Sequence, residues 1–213
     1  MSTYTLTYFD CRGYGEVSRQ MFALAGVPFT DVRHPMAEAE WEKIKPTIAH
    51  KLPFNKMPIL EVDGRIIAQS HSIARFVARR FNFYGKDEYE EAEVNAIADQ
   101  VKDYERETWP QFLVYFDFET GDKQKLYDEV LVPGFIRHFT FFKNILAKNG
   151  TGFLVGDKLT WADLLVAGHI EDVYTEWPKL VTDNFPELKA HQERIHAIPA
   201  LKKWIETRPK TRV

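Results

Sequence analysis

Tyr4-Thr5-Leu6-Thr7-Tyr8-Phe9, followed by Asp10-Cys11-Arg12-Gly13-Tyr14-Gly15, is the stretch that decides the fold. The first six residues are rich in aromatic and β-branched side chains and read as a strand. Asp10-Cys11-Arg12-Gly13 breaks it. From Gly15-Glu16-Val17 the pattern turns helical, with apolar residues at Val17, Met21, Phe22 and Leu24. Tyr8 therefore stands where a strand gives way to a loop. A phenol in that place can donate a hydrogen bond at the mouth of an α/β sheet.

Working outward, the first 80 residues mix strands and helices. Strands are expected over 4–9, 29–33, 57–62 and 65–68, and helices over 15–25, 37–47 and 70–80. The order is β-α-β-α-β-β-α. Asp63-Gly64, between Glu61-Val62 and Arg65-Ile66, is a hairpin turn dipeptide. From about Tyr89 the chain becomes helical, with spans expected over 89–118, 124–149, 161–174, 186–196 and 199–207. Pro110 is expected to bend the first of these. Phe83-Tyr84-Gly85-Lys86-Asp87 reads as a linker. The domains are therefore placed at 1–80 and 89–213, joined by 81–88. Thr160-Trp161-Ala162-Asp163 marks a helix start. Thr160 can cap, Asp163 can reach back to it, and Leu159 with Leu164 can form a hydrophobic staple.

The chain has 213 residues, 45% of them apolar and 14% aromatic, enough for two real cores. Its formal charge of −3 gives no electrostatic drive towards nucleic acid or an anionic membrane. The single cysteine, Cys11, excludes an intrachain disulfide framework. No apolar run approaches the roughly 20 residues of a membrane span. No charged lead followed by an apolar run opens the chain, so no secretion signal is expected. A cytoplasmic location is the resulting expectation. The seven histidines show no metal-ligand spacing with Cys11, and no metal is expected. The acidic run Asp87–Glu91 suits a helix start, and the basic tail 208–212 reads as solvated or as a cover for a substrate pocket.

Three further segments carry chemistry. In Lys56-Met57-Pro58-Ile59-Leu60 a proline enters a strand. A cis peptide would turn the Met57 N–H and C=O outward to pair with an extended peptide; a trans proline on an edge strand is the commoner alternative. In Gln69-Ser70-His71-Ser72 a helix begins after a strand, and its N-terminus suits a carboxylate held also by Gln69 and Ser70. An ordinary serine cap is the plainer alternative. Trp41 and Lys45 lie four apart on one helical face and can hold a second carboxylate, or can be a surface aromatic covered by a lysine stem. Two carboxylate clamps, one backbone edge and a tyrosine suit a peptide with two carboxylates and a reactive middle, namely glutathione.

Tyr8, Met57-Pro58, Gln69-Ser70 and the start Leu159-Thr160-Trp161-Ala162-Asp163 resemble the cytosolic glutathione transferases. The run from Thr5 to Phe9, Arg12-Gly13, Glu16, Pro53-Phe54, Lys56 and Pro58 to Gly64 is similar to the sigma class, especially its nematode-type branch. The resemblance spans essentially the whole chain. It implies an α/β thioredoxin-like N-terminal domain followed by an all-α helical bundle, and a homodimer. It implies that Tyr8 donates to the glutathione sulfur and that Met57, before Pro58, pairs with the cysteinyl backbone. Gln69 and Ser70 would hold the γ-glutamyl carboxylate, and Trp41, Lys45 and Lys56 the glycyl end. Asp103 would reach the γ-glutamyl amine of the ligand in the partner subunit. Phe9, Cys11, Gly13 and Tyr14 would wall a pocket for small hydrophobic electrophiles. Peroxide reduction and prostaglandin isomerisation are further family activities.

Two departures bear on that implication. Sigma enzymes commonly carry Arg where this chain has Tyr14. The vertebrate prostaglandin synthase binds a metal through helix aspartates; Asp99 and Asp103 match two of those positions, but Lys102 stands between them and would repel a cation. Cys11 is the rival nucleophile, though it has no second cysteine to work with. The alternative from another class is a non-catalytic carrier of haem or other apolar anions. A lens-crystallin-like structural relative is more distant, since Tyr8, Gln69 and Ser70 are intact.

Overall fold

The computed structural model describes residues 2–211. Arg212 of the basic tail, together with Met1 and Val213 at the expected domain limits, lies outside the described residues. The described chain divides into two compact units. One runs up to Phe83 and also takes in the residues from His196 onward; the other is Tyr84–Ile195. The final helix of the expected helical domain packs on the first helix of the chain and groups with the first unit.

In the first unit four strands form one sheet: β1 (Tyr4–Phe9), β2 (Thr30–His34), β3 (Ile59–Val62) and β4 (Arg65–Ala68). The order is β2-β1-β3-β4. β1 runs parallel to β2, while β3 is antiparallel to both β1 and β4. Side chains alternate along β1, with Tyr4, Leu6 and Tyr8 buried and their neighbours half-buried. The β3–β4 hairpin turns on Asp63 and Gly64, whose φ angles of 49° and 81° are the two positive values a type I′ turn requires. β3 begins at Ile59, two residues later than the sequence pattern suggests, because Pro58 has no N–H for the ladder. The helices are α1 (Glu16–Ala25), α2 (Glu38–Ile48), α3 (Ser70–Arg80) and, from the chain's end, α10 (Pro199–Thr207). α1 packs against α3 and α10. The core gathers Leu6, Met21, Phe22, Ile59, Leu60, Ile73 and Val77. Phe22 stacks on Phe29 at 4.7 Å, and Tyr4 and Phe81 meet it at 5.2 and 5.7 Å.

The second unit is helical: α4 (Glu88–Tyr115), α5 (Lys123–Leu126), α6 (Val132–Asn149), α7 (Trp161–Glu176), α8 (Pro178–Asn184) and α9 (Pro186–His196). Asp87 caps α4 by accepting the N–H groups of Tyr89 and Glu90 at 3.1 and 3.0 Å. α4 continues unbroken through Pro110. The expected helix over 124–149 is divided by a π-helical turn, Tyr127–Leu131, in which the Val132 N–H donates to the Tyr127 carbonyl. Pro133 follows at once, and its missing N–H prevents the normal ladder there. α8 was not apparent from the sequence.

α7 is buried on nearly all sides, which suits its run of Leu164, Leu165, Val166, Ala167 and Ile170. Its start matches the sequence expectation. Asp163 Oδ2 accepts the Thr160 N–H and the Thr160 hydroxyl, both at 2.9 Å. Among the described residues no helix is long and apolar enough to cross a membrane.

Candidate active site

The strand register explains why separated segments meet. Thr7 pairs with Ile59, and Ile59 with Ala68. These are the last pairs of the two ladders, and Tyr8, Pro58 and Gln69 each stand one residue beyond them. On the other side Tyr8 pairs with Arg33. Tyr8, Pro58 and Gln69 therefore lie at the same end of the sheet. The Met57–Pro58 bond is cis. Met57 is half-buried and lies beyond the paired part of β3, whereas Lys56 is exposed.

Tyr8 is only 7% exposed, and its oxygen accepts the Tyr14 backbone N–H at 3.3 Å. Burial pushes the phenol's pKa above its ordinary value, the neighbouring Cys11 adds to the rise, and the Tyr14 hydrogen bond opposes it. The phenol therefore keeps its proton and stays a donor. Two glycines make room for the ring. A Cβ on Gly13, where φ is +33°, would lie 3.0 Å from Tyr8 Oη; one on Gly15 would lie 2.9 Å from Tyr8 Cδ1. Cys11 is buried too, and burial raises its thiol to about 11, with Arg19 as the main opposing influence. Such a thiol holds its proton at neutral pH and is a poor nucleophile.

At the start of α3 no side chain caps the helix, and Gln69 precedes it with φ 71° and ψ 121°. Few non-glycine residues adopt that conformation, and it holds the exposed Gln69 side chain at the helix mouth beside the half-buried Ser70. Trp41 reaches the same region from α2, its ring meeting Phe9 at 5.0 Å and His34 at 6.1 Å. Phe9 in turn touches Tyr8 at 5.5 Å. Lys45 lies one turn along α2, half-buried. Tyr14 is exposed beside Tyr8.

The first unit thus gathers Tyr8, Phe9, Cys11, Gly13, Tyr14, Trp41, Pro58 and Gln69. Asp103 belongs to the second unit, where it lies exposed on α4 with Arg106 at 3.6 Å. Among the described residues no three His, Cys, Asp or Glu side chains form a possible metal-ligand group.

Sequence reasoning missed a buried polar set beneath the tyrosine. On α1 the sequence pattern set Val17, Met21, Phe22 and Leu24 inward. The structure fully buries only Met21 and Phe22 of these, together with Glu16, Ser18, Arg19 and Gln20. The Arg19 guanidinium donates to the carbonyls of Cys11 (2.6 Å), Arg12 (3.3 Å) and Phe9 (3.4 Å), and to Asp31 at 3.0 Å. The signal that could have found it is the Glu16…Arg19 spacing of three, which places both charges on one helix face.

Residues 4–79 match the family described as glutathione S-transferase, N-terminal domain, and residues 106–208 match glutathione S-transferase, C-terminal domain. The chain is 49% identical to "Probable glutathione S-transferase 8" of Caenorhabditis elegans over 99% of both chains. The chain belongs to the glutathione S-transferase family.

Among solved structures it resembles a glutathione S-transferase of the hookworm Necator americanus, described as monomeric. The two are 45% identical with a TM-score of 0.93, over 99% of this chain and 100% of that one. It also resembles a Nu-class glutathione S-transferase of Haemonchus contortus, 46% identical with a TM-score of 0.88, over 100% of both chains. A glutathione S-transferase uses glutathione as co-substrate, and residues 4–79, with the four-stranded sheet, form this enzyme's thioredoxin-like domain. The sequence resemblance went further, to the sigma class; the shared family is established, and Nu-class enzymes are among its neighbours.

Proposed function

We propose that this glutathione transferase is of the tyrosine type, with Tyr8 donating its phenolic proton to the glutathione sulfur. The observation that carries this reading is a Tyr8 ring buried at the same end of the sheet as the cis Met57–Pro58 bond and Gln69. A free thiol has a pKa near 8.5 and is mostly protonated at neutral pH. Lowering it by about two units requires roughly 2.7 kcal/mol in favour of the anion. One hydrogen bond to a charged acceptor supplies about 1.5–3 kcal/mol. Tyr8 alone accounts for most of that, and the thiolate then attacks an electrophilic carbon.

The remaining roles follow the family pattern. Met57 pairs with the cysteinyl backbone. Gln69, Ser70 and the uncapped start of α3 hold the γ-glutamyl carboxylate. Trp41, Lys45 and Lys56 attend the glycyl carboxylate. Asp103 serves the ligand of a partner subunit in a homodimer. Phe9, Cys11, Gly13 and Tyr14 face small hydrophobic electrophiles. A sigma-like class, in the nematode branch, fits the motifs around Tyr8. Tyr14 in place of an arginine removes a cation near the thiolate and adds an aromatic wall to the pocket, and Lys102 argues against activation by magnesium.

The test is Tyr8→Phe. Conjugation of glutathione to an aryl halide should fall about tenfold or more, the worth of one charge-assisted hydrogen bond. Glutathione binding by calorimetry should persist. Near-normal turnover in that variant would remove Tyr8 from the reaction. A second reading, carriage of haem or other flat apolar anions, draws on Trp109, Phe112 and Phe118. These rings stack almost parallel at 5.0 and 6.1 Å, and Trp109 and Phe118 are 42% and 49% exposed. Haem titration of the wild-type enzyme beside the conjugation assay separates the two.

A further inference from the structure

We propose that the C-terminal segment positions the Tyr8 loop, with Arg208 acting through Glu16 on Arg19. This rests on the reading of Tyr8 as the sulfur's hydrogen-bond donor. Glu16 is a buried carboxylate at the start of α1. Its Oε1 accepts the Trp204 indole N–H at 2.8 Å and Arg208 Nη1 at 2.9 Å, so the far end of the chain holds it from one side. Its Oε2 is buried and makes no hydrogen bond among the described residues. Arg19 Nη1 lies 3.7 Å from that oxygen, too far to donate.

Arg19 is fully buried; its Nε pairs with Asp31 at 3.0 Å, and its two terminal nitrogens donate to the carbonyls of Phe9, Cys11 and Arg12 that form the loop after Tyr8. Its guanidinium also lies 5.9 Å from the Tyr8 ring centre. One carboxylate thus stands between two guanidiniums. Arg208 satisfies it, which leaves Arg19 to hold the loop. Without Arg208 the buried carboxylate has one neutral donor left, and Arg19 Nη1 stands 3.7 Å from it. A guanidinium–carboxylate pair is stronger than a guanidinium–carbonyl bond, so Arg19 turns to Glu16 and releases the loop. The phenol then loses the placement that its short contact with the sulfur needs. Arg208 and Glu16 are positioning residues; neither touches the reacting atoms.

The experiment measures turnover and the thiol pKa of bound glutathione, from thiolate absorbance against pH, in five full-length proteins: wild type, Tyr8→Phe, Arg208→Met, Arg208→Lys and the double variant Glu16→Gln/Arg208→Met. Arg208→Met should lower turnover near pH 6.5 about tenfold, the scale of a small misplacement at a reacting centre. The thiol pKa should rise and glutathione affinity should stay nearly constant. Arg208→Lys should restore much of the loss. The double variant should be more active than Arg208→Met, because no carboxylate remains to capture Arg19; a purely structural role predicts the reverse. If Arg208→Met keeps the wild-type thiol pKa while Tyr8→Phe loses activity, the tail linkage is wrong and the tyrosine reading stands. A double variant no better than the single one also overturns the linkage. An active Tyr8→Phe overturns the reading beneath it.

Discussion

The Arg19 guanidinium lies 5.9 Å from the centre of the Tyr8 ring, with the backbone of Gly15 wedged beside both. A Cβ on Gly15 would come within 2.9 Å of Tyr8 Cδ1 and 3.2 Å of Arg19 Cζ. The two flanking groups are a ring held by β1 and a guanidinium held by three carbonyls and a carboxylate, so neither is free to move aside.

Gly15→Ala should therefore displace one of them. Overpacking of this kind costs about 1–3 kcal/mol. We expect a folded protein with a lower melting temperature and a conjugation rate reduced about tenfold or more, as misplacement of a reacting group produces. Circular dichroism and an aryl-halide assay check it. Wild-type turnover in this variant would show that the ring has room to spare.

Gln69→Gly should separate stability from function. Gln69 carries φ 71°, a conformation that costs a side-chain-bearing residue on the order of 1 kcal/mol and glycine much less. Urea unfolding should show unchanged or increased stability. Glutathione affinity by calorimetry should fall about tenfold, the worth of one hydrogen bond to a carboxylate. A variant that loses both would point to a structural role for the side chain.

The Cys11 thiol should be slow to react. Burial raises it to about 11 from an ordinary 9, so it holds its proton in the folded enzyme where the unfolded chain has lost it. Folding stability contributed by this group is thus present below pH 9 and declines between about 9 and 11. At pH 8 its thiolate fraction is about two orders of magnitude below that of a free cysteine. Alkylation by iodoacetamide, followed by mass spectrometry, should be slower by at least that factor in native protein than in urea. Equal rates would mean that the thiol is open to solvent.

Asp163→Ala should be the most destabilising of these changes. The carboxylate is fully buried and accepts four hydrogen bonds: two from Thr160, one from the Leu154 N–H at 2.8 Å and one with His191 Nε2 at 3.0 Å. Removing it strands buried donors of Thr160, Leu154 and His191 in the core, each at a cost of about 1–3 kcal/mol. Chemical denaturation measures it. A loss below 1 kcal/mol would mean that water replaces the carboxylate.

What the sequence alone determined was local. The order β-α-β-α-β-β-α, the Asp63-Gly64 turn, the α3 start at Ser70 and the Thr160–Asp163 cap were all legible. Periodicity, turn chemistry and capping act between residues a few positions apart. The tyrosine, the cis-proline segment and the Gln69-Ser70 start were legible as separate motifs. Only the tertiary structure put Tyr8, Pro58 and Gln69 at one end of the sheet, because the shared register of β1, β3 and β4 is a property of pairing and not of any one strand.

The same holds for the polar face of α1. Glu16 and Arg19 read as surface charges until their partners are known, and one of those partners, Arg208, lies 192 residues away. The late π-turn and the packing of α10 on α1 likewise depend on what surrounds them. A charge is buried only where the folded chain brings it a counter-charge, and that pairing has no signature in the residues beside it.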